Sequence, residues 1–206
     1  FCGCLAITQI AEGNFLVASL LVLLGAFFDF FDGLAARALK VGSPLGAQLD
    51  SLADMVTFGI VPAYLAFEWL NQLDYNILNY AAFSIAIFSA VRLAKFNIDD
   101  RQTSSFIGFP TPANALFWIS IPLIFWQVEN DIHFIAVDFL LSTYNSFYFI
   151  LAAIAVFSYL LIAELPLLAL KFENLNWKGN EFRMLLILFS LILIVLFLFA
   201  AIPFIL

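Results

Sequence analysis

The chain has 206 residues, 65% of them hydrophobic and 11% charged, and a formal net charge of −7. A soluble domain is roughly half apolar and a quarter charged, so this composition cannot cover a water-facing surface and is matched to a lipid bilayer. An acidic chain without a basic patch also excludes nucleic acid as a partner.

Seven apolar stretches follow one another. The first, Phe1 to Ala11, is shorter than the roughly 20 residues a crossing helix needs and reads as the rear part of a helix that starts before Phe1. It carries the two cysteines, Cys2 and Cys4, whose spacing in apolar sequence points to neither a disulfide framework nor a metal site. The next six run over about 15–39, 46–70, 77–97, 111–128, 144–164 and 183–206. The expectation is an all-α, polytopic transmembrane helix bundle with six full spans plus the remainder of an amino-terminal helix. It forms a single transmembrane catalytic domain over 1–206, with the active-site core at about 15–115 and carboxy-terminal helices over 116–206.

The basic residues orient this bundle. Arg37, Lys40, Arg92, Lys95, Arg101, Lys171, Lys178 and Arg183 are the full set of eight, and alternating helices put all of them on one side. The opposite connections, around Glu12–Asn14, Asn71–Tyr75 and Glu129–Asp138, carry none. Excess Lys and Arg marks the cytoplasmic face, so the expectation is a multi-pass protein of the bacterial cytoplasmic membrane with its basic side in the cytoplasm. His133 falls on the outer side and is assigned no role.

Acidic residues are the anomaly. Asp29 and Asp32 lie within the second apolar stretch, Asp50 and Asp54 within the third, and residues three or four apart share one helix face. The Val41-Gly42-Ser43-Pro44-Leu45 turn between them is short, so the two helices run antiparallel and adjacent. At 1.5 Å per residue Asp32 is about 12 Å before Lys40, and Asp50 about a turn past Gly46. The four carboxylates therefore converge at similar depth. Each acid costs roughly 2.5–3.5 kcal/mol at mid-membrane, and four together repel one another. Arg37 and Lys40 are too few to neutralise them, whereas two divalent cations would; hard oxygen donors suit Mg²⁺ or Mn²⁺. Carboxylate-held metal beside a nucleotide phosphate is a recurring arrangement of phosphoryl transfer.

The string Asp29-x2-Asp32-Gly33-x2-Ala36-Arg37-x8-Gly46-x3-Asp50-x3-Asp54 resembles the signature of the CDP-alcohol phosphotransferase family at every defined position. Further on, Phe58-Gly59, Arg92-Leu-Ala-Lys95-Phe96-Asn97 and Phe106-Ile-Gly108-Phe-Pro110-Thr111-Pro112 resemble the membrane-embedded bacterial branch of that family whose acceptor is serine. The similarity covers about the first 115 residues. What it implies is phosphatidyl transfer from CDP-diacylglycerol to L-serine, giving phosphatidylserine and CMP. It implies metal ligation by Asp29, Asp32, Asp50 and Asp54, with Asp54 also the general base. Donor nucleotide and phosphate contacts fall to Asp29, Gly33, Arg37 and Gly46: Gly33 lets the nucleotide approach the helix backbone, and Arg37 is a planar fork for phosphate. Apolar helix faces would hold the acyl chains, and a homodimer is left open.

Serine brings a carboxylate that needs a fixed cation. Arg92 and Lys95, three apart on one helix face, are the candidates, with Asn97 and Thr111 as weaker polar ones. The alternative is that these cations merely flank the membrane or anchor anionic lipid. Pro110 and Pro112 bracket a helix start. Two competing functions stand beside the serine reading. One is the same transfer to glycerol phosphate, inositol phosphate, choline or a lipid. The other is an ion-coupled transporter, disfavoured by the absence of a repeat and of a polar path through the later helices.

Overall fold

The computed structural model describes residues 1–39, 43–98, 106–132, 138–164, 166–167 and 180–206. It opens with helix α1, Cys2–Ala11, and turns through Gly13, at φ 80, into α2, Phe15–Leu39. Helix α3, Pro44–Asp54, starts where proline and a cap say it should. Pro44 occupies the first turn, where its missing N–H costs nothing, and the Ser43 hydroxyl accepts the Gly46 N–H at 3.0 Å. The chain then winds through a π-helical segment, Met55–Ile60, into α4, Val61–Leu73, so that one apolar run extends over Pro44–Leu73.

A 3₁₀ turn, Ile77–Phe83, capped by the Asn76 side chain on the Leu78 N–H, leads into α5, Ser84–Ile98. A two-residue strand β1, Phe106–Ile107, pairs antiparallel with β2, Pro166–Leu167. Between them lie α6, Thr111–Glu129; α7, Asp138–Tyr144; and α8, Phe147–Ile162. Helix α9, Glu181–Phe197, is followed by a 3₁₀ turn, Leu198–Ala201, and a short α10, Ile202–Ile205.

Among the described residues, four helical segments are long and apolar enough to cross a bilayer: Phe15–Ala36, Pro44–Leu73, Ile77–Ile98 and Glu181–Ile205. Apolar segments of this length are those of an integral membrane protein. The six such spans expected from the sequence are not confirmed among the described residues. The stretch at 144–164 divides between the end of α7 and the 16-residue α8. The stretch at 111–128 is the 19-residue α6, whose apolar character is diluted by Asn114, Ser120, Pro122, Gln127 and two tryptophans.

That dilution has a structural reason, since α6 runs through the middle of the bundle and contributes to both packed clusters. Trp118, Ile121 and Ile124 join Leu70, Ile85, Ile150 and Ile154 in one. Ala115 and Ile119 join Ala6, Ile10, Val22, Phe58 and Leu65 in the other. Several of its polar groups are paired internally, as lipid or packed helix requires, while the buried Asn114 Nδ2 has no partner. The Trp118 indole donates to Asn114 Oδ1 at 3.2 Å, and Ser120 donates to the Phe117 carbonyl at 2.6 Å.

The last apolar stretch is also not one straight helix. Leu198 sits at φ 51, a left-handed conformation uncommon for a side chain of its kind, and the helix breaks there. Buried Gln127 bridges the break, donating to the Phe197 carbonyl at 3.0 Å and accepting the Phe199 N–H at 3.0 Å. A broken helix is tolerated in lipid only where such partners re-satisfy the backbone.

Candidate active site

Helix α2 descends toward the turn at Ser43 and α3 climbs away from it, so their acidic faces meet near one end of the bundle. Carboxylate oxygens of Asp29, Asp32 and Asp50 lie within 4.8 Å of one another. Asp54, one turn further along, comes within hydrogen-bonding reach of Asp29 and feels the charge of Asp50 and of Arg92. Asp29 and Asp54 are half-buried, while Asp32 and Asp50 are exposed. No side chain of α3 is buried, so this end of the bundle is open where its acids stand.

The surrounding residues fall into three groups. Gly33 faces open space: a Cβ built there would meet nothing within 4 Å. Gly46 serves the turn instead, since a Cβ would lie 3.1 Å from the Ser43 hydroxyl that caps α3. Arg37 continues α2, but its side chain lies outside the described residues, as do Lys40, Arg101 and His133 altogether.

Among the described residues, Arg92 is a cation that the fold brings toward Asp54. It is 8% exposed, an unusual burial for a guanidinium. Its Nη1 donates to Thr111 Oγ1 at 3.0 Å, and its buried Nε has no partner. Thr111 is itself buried as the first residue of α6, and the preceding segment holds it there. Gly108, at φ 83, passes close to the Ala163 carbonyl, and the Phe109 N–H donates to the Leu160 carbonyl at 3.2 Å. Lys95, by contrast, is exposed. Asn97 is engaged with α3: its amide donates to Gln48 Oε1 at 3.3 Å and Ser51 Oγ at 3.0 Å, and Ser51 donates back to Asn97 Oδ1 at 3.1 Å. Gln48 and Ser51 escaped the sequence reading because nothing in their spacing marks them; only the neighbourhood of α5 does.

The fold and this cluster define an integral membrane bundle with an acidic centre carried by two helices. Residues 1–167 match the CDP-alcohol phosphatidyltransferase family, and the chain belongs to it. It is 42% identical over 111 residues to the CDP-diacylglycerol–serine O-phosphatidyltransferase of Bacillus subtilis, covering 54% of this chain and 63% of that protein. The enzyme of the same name from Helicobacter pylori strain 26695 is 29% identical over 196 residues, 94% of this chain and 77% of the relative. An archaetidylserine synthase of Methanothermobacter thermautotrophicus is 30% identical over 140 residues, 66% of this chain and 58% of the relative. The chain thus spans less than two thirds of the Bacillus relative.

Proposed function

We propose that the protein transfers the phosphatidyl group of CDP-diacylglycerol to the hydroxyl of L-serine, yielding phosphatidylserine and CMP. The observation that carries this is the meeting of three carboxylates within 4.8 Å beside Asp54, which in turn feels the charge of Arg92, a buried guanidinium whose Nε is unpaired. The names of the Bacillus, Helicobacter and Methanothermobacter relatives, each a serine-lipid synthase, support the acceptor.

The donor set suits hard divalent cations: carboxylate oxygens clustered within 4.8 Å of one another. Asp29, Asp32 and Asp50 would hold Mg²⁺ or Mn²⁺, with Asp54 completing a site for two ions. When bound, such ions neutralise the diphosphate and the charge that grows on the leaving CMP. The open space at Gly33 admits the nucleotide, Arg37 is assigned to the donor phosphate, and Gly46 keeps the turn below the nucleotide narrow. Asp54 accepts the serine hydroxyl proton. The serine oxygen bonds to the β-phosphorus as the bond from that phosphorus to the bridging oxygen breaks, and CMP leaves with the electron pair. Arg92, held by Thr111, receives the serine carboxylate on its free Nε edge. Lys95 draws the anionic substrates toward the mouth, and Asn97 fixes α5 against α3.

The same reading has α6 and α8 crossing the bilayer with the four longer segments, six spans in all. The acidic end then faces the cytoplasm of a bacterium, where CDP-diacylglycerol and serine meet. Labelled CDP-diacylglycerol offered with serine, glycerol 3-phosphate, inositol phosphate and choline tests it. CMP release specific to serine is expected. Release with another alcohol alone would keep the family and discard serine.

A further inference from the structure

The π-helical segment Met55–Ile60 begins at the residue after Asp54 and touches α1, α2, α5 and α6. Single π turns inside otherwise α-helical runs insert an extra residue and re-aim the side chains on either side of it. Here the re-aimed side chain is Thr57, and two glycines from two other helices close on it. A Cβ at Gly25 of α2 would lie 2.9 Å from Thr57 Cγ2. A Cβ at Gly3 of α1 would lie 2.7 Å from Thr57 Oγ1 and 2.9 Å from Thr57 Cα. Real Cβ atoms do not approach other atoms so closely, so both contacts exist only because these positions are glycine.

Chain direction makes this contact consequential. Helix α2 and the α3–π run are antiparallel. Asp29 lies four residues beyond Gly25 toward the acidic end, and Asp54 lies three residues before Thr57 toward the same end. The Gly25–Thr57 contact therefore sits about one helical turn, roughly 5–6 Å, beneath the Asp29–Asp54 contact and on the same pair of faces. Interhelical distance at the glycine sets interhelical distance at the acids.

We infer that Thr57 is a positioning residue. Seated in the notch formed by Gly25 and Gly3, it sets the separation of α2 from α3 and so the spacing of the carboxylate cluster for divalent cations. The inference rests on the metal reading of Asp29, Asp32, Asp50 and Asp54 but not on which alcohol is the acceptor.

The atoms in contact specify an asymmetric rescue. Thr57→Ser removes Cγ2, the atom that faces Gly25, and keeps Oγ and Cα, the atoms that face Gly3. Gly25→Ala should push α2 outward and, because displacements near 1 Å at such centres cost about 10²-fold, weaken both Mn²⁺ binding and CMP release by roughly 10–100-fold. Adding Thr57→Ser to Gly25→Ala should restore both to within about threefold of wild type, while adding it to Gly3→Ala should restore neither.

The experiment titrates Mn²⁺ into purified, detergent-solubilised protein, reading bound metal by electron paramagnetic resonance beside CMP release and melting temperature. Selective rescue of Gly25→Ala is the expected result. Wild-type Mn²⁺ affinity in Gly25→Ala overturns the inference. So does failure of the double variant to bind metal or to fold, or equal rescue of Gly3→Ala. Should Mn²⁺ binding follow the expected pattern while serine gives no CMP, the positioning role stands and the serine reading falls.

Discussion

The two ends of this bundle are built on opposite principles. At the end away from the acids, side chains interlock. Trp69 meets Phe15 at 6.1 Å and Phe125 at 4.8 Å between ring centroids, and its indole donates to the Tyr144 carbonyl at 3.1 Å. At the acidic end α3 buries no side chain, and Phe27, Phe28, Phe30 and Phe31 of α2 stand exposed. Helix association in lipid has little hydrophobic drive and depends on close packing, so an unpacked face forgoes stability there. The acidic end forgoes it where, in the proposed reaction, a nucleotide, two acyl chains and an amino acid would all reach the same carboxylates. The packed end is the frame, and the open end is where chemistry has room.

The sharpest way to break this comparison is to neutralise one acid. In the proposed site Asp50→Asn would remove a ligand of ions that supply several kcal/mol of charge stabilisation, so CMP release should fall by roughly 10³-fold or more. The same change relieves repulsion among clustered carboxylates, so the metal-free melting temperature should hold or rise. A loss of activity that tracked a loss of folding would make Asp50 part of the frame.

Trp118 is the converse test. It is fully buried, bonded to Asn114 and in ring contact with Phe117 and Phe157. Trp118→Ala should destabilise by about 3–5 kcal/mol, read as a lower melting temperature in detergent. Activity per folded molecule should change little. Arg92 stands where the two regions join. Arg92→Ala should cost roughly 2–5 kcal/mol in serine kcat/KM, with a smaller effect on the apparent constant for CDP-diacylglycerol. An effect confined to the donor would make Arg92 a phosphate anchor. The smallest change is Asn97→Ala, which removes the tie between α5 and α3. About 1 kcal/mol is expected, a several-fold drop in CMP release without loss of metal binding.

Much of the open end was legible in sequence, because charge in apolar sequence is rare and helical spacing is rigid. Asp29, Asp32, Asp50 and Asp54 could be laid on two facing helices from their intervals and a short turn alone. Pro110 and Pro112 likewise marked the start of α6. The packed end and its links to the site were less readable. A π turn has no composition of its own, so the run at 46–70 read as plain helix and Thr57 was given no role. Asn97 looked available for substrate until α3 placed Gln48 and Ser51 against it. Leu198 carries no break signal; the break depends on Gln127, 71 residues earlier in sequence. The count of six spans came from apolar length alone; among the described residues four segments have that length and apolarity, and α6 is diluted by polar residues such as Ser120 and Gln127 that bond within the protein.

Metal-dependent CMP release from labelled CDP-diacylglycerol, measured with and without serine in the wild-type chain and in Asp50→Asn, tests the central claim most directly. The account predicts release that requires both serine and Mg²⁺ or Mn²⁺, stops on chelation, and is lost in Asp50→Asn while that variant stays folded. Release that persists under chelation, or survives in Asp50→Asn, would contradict it.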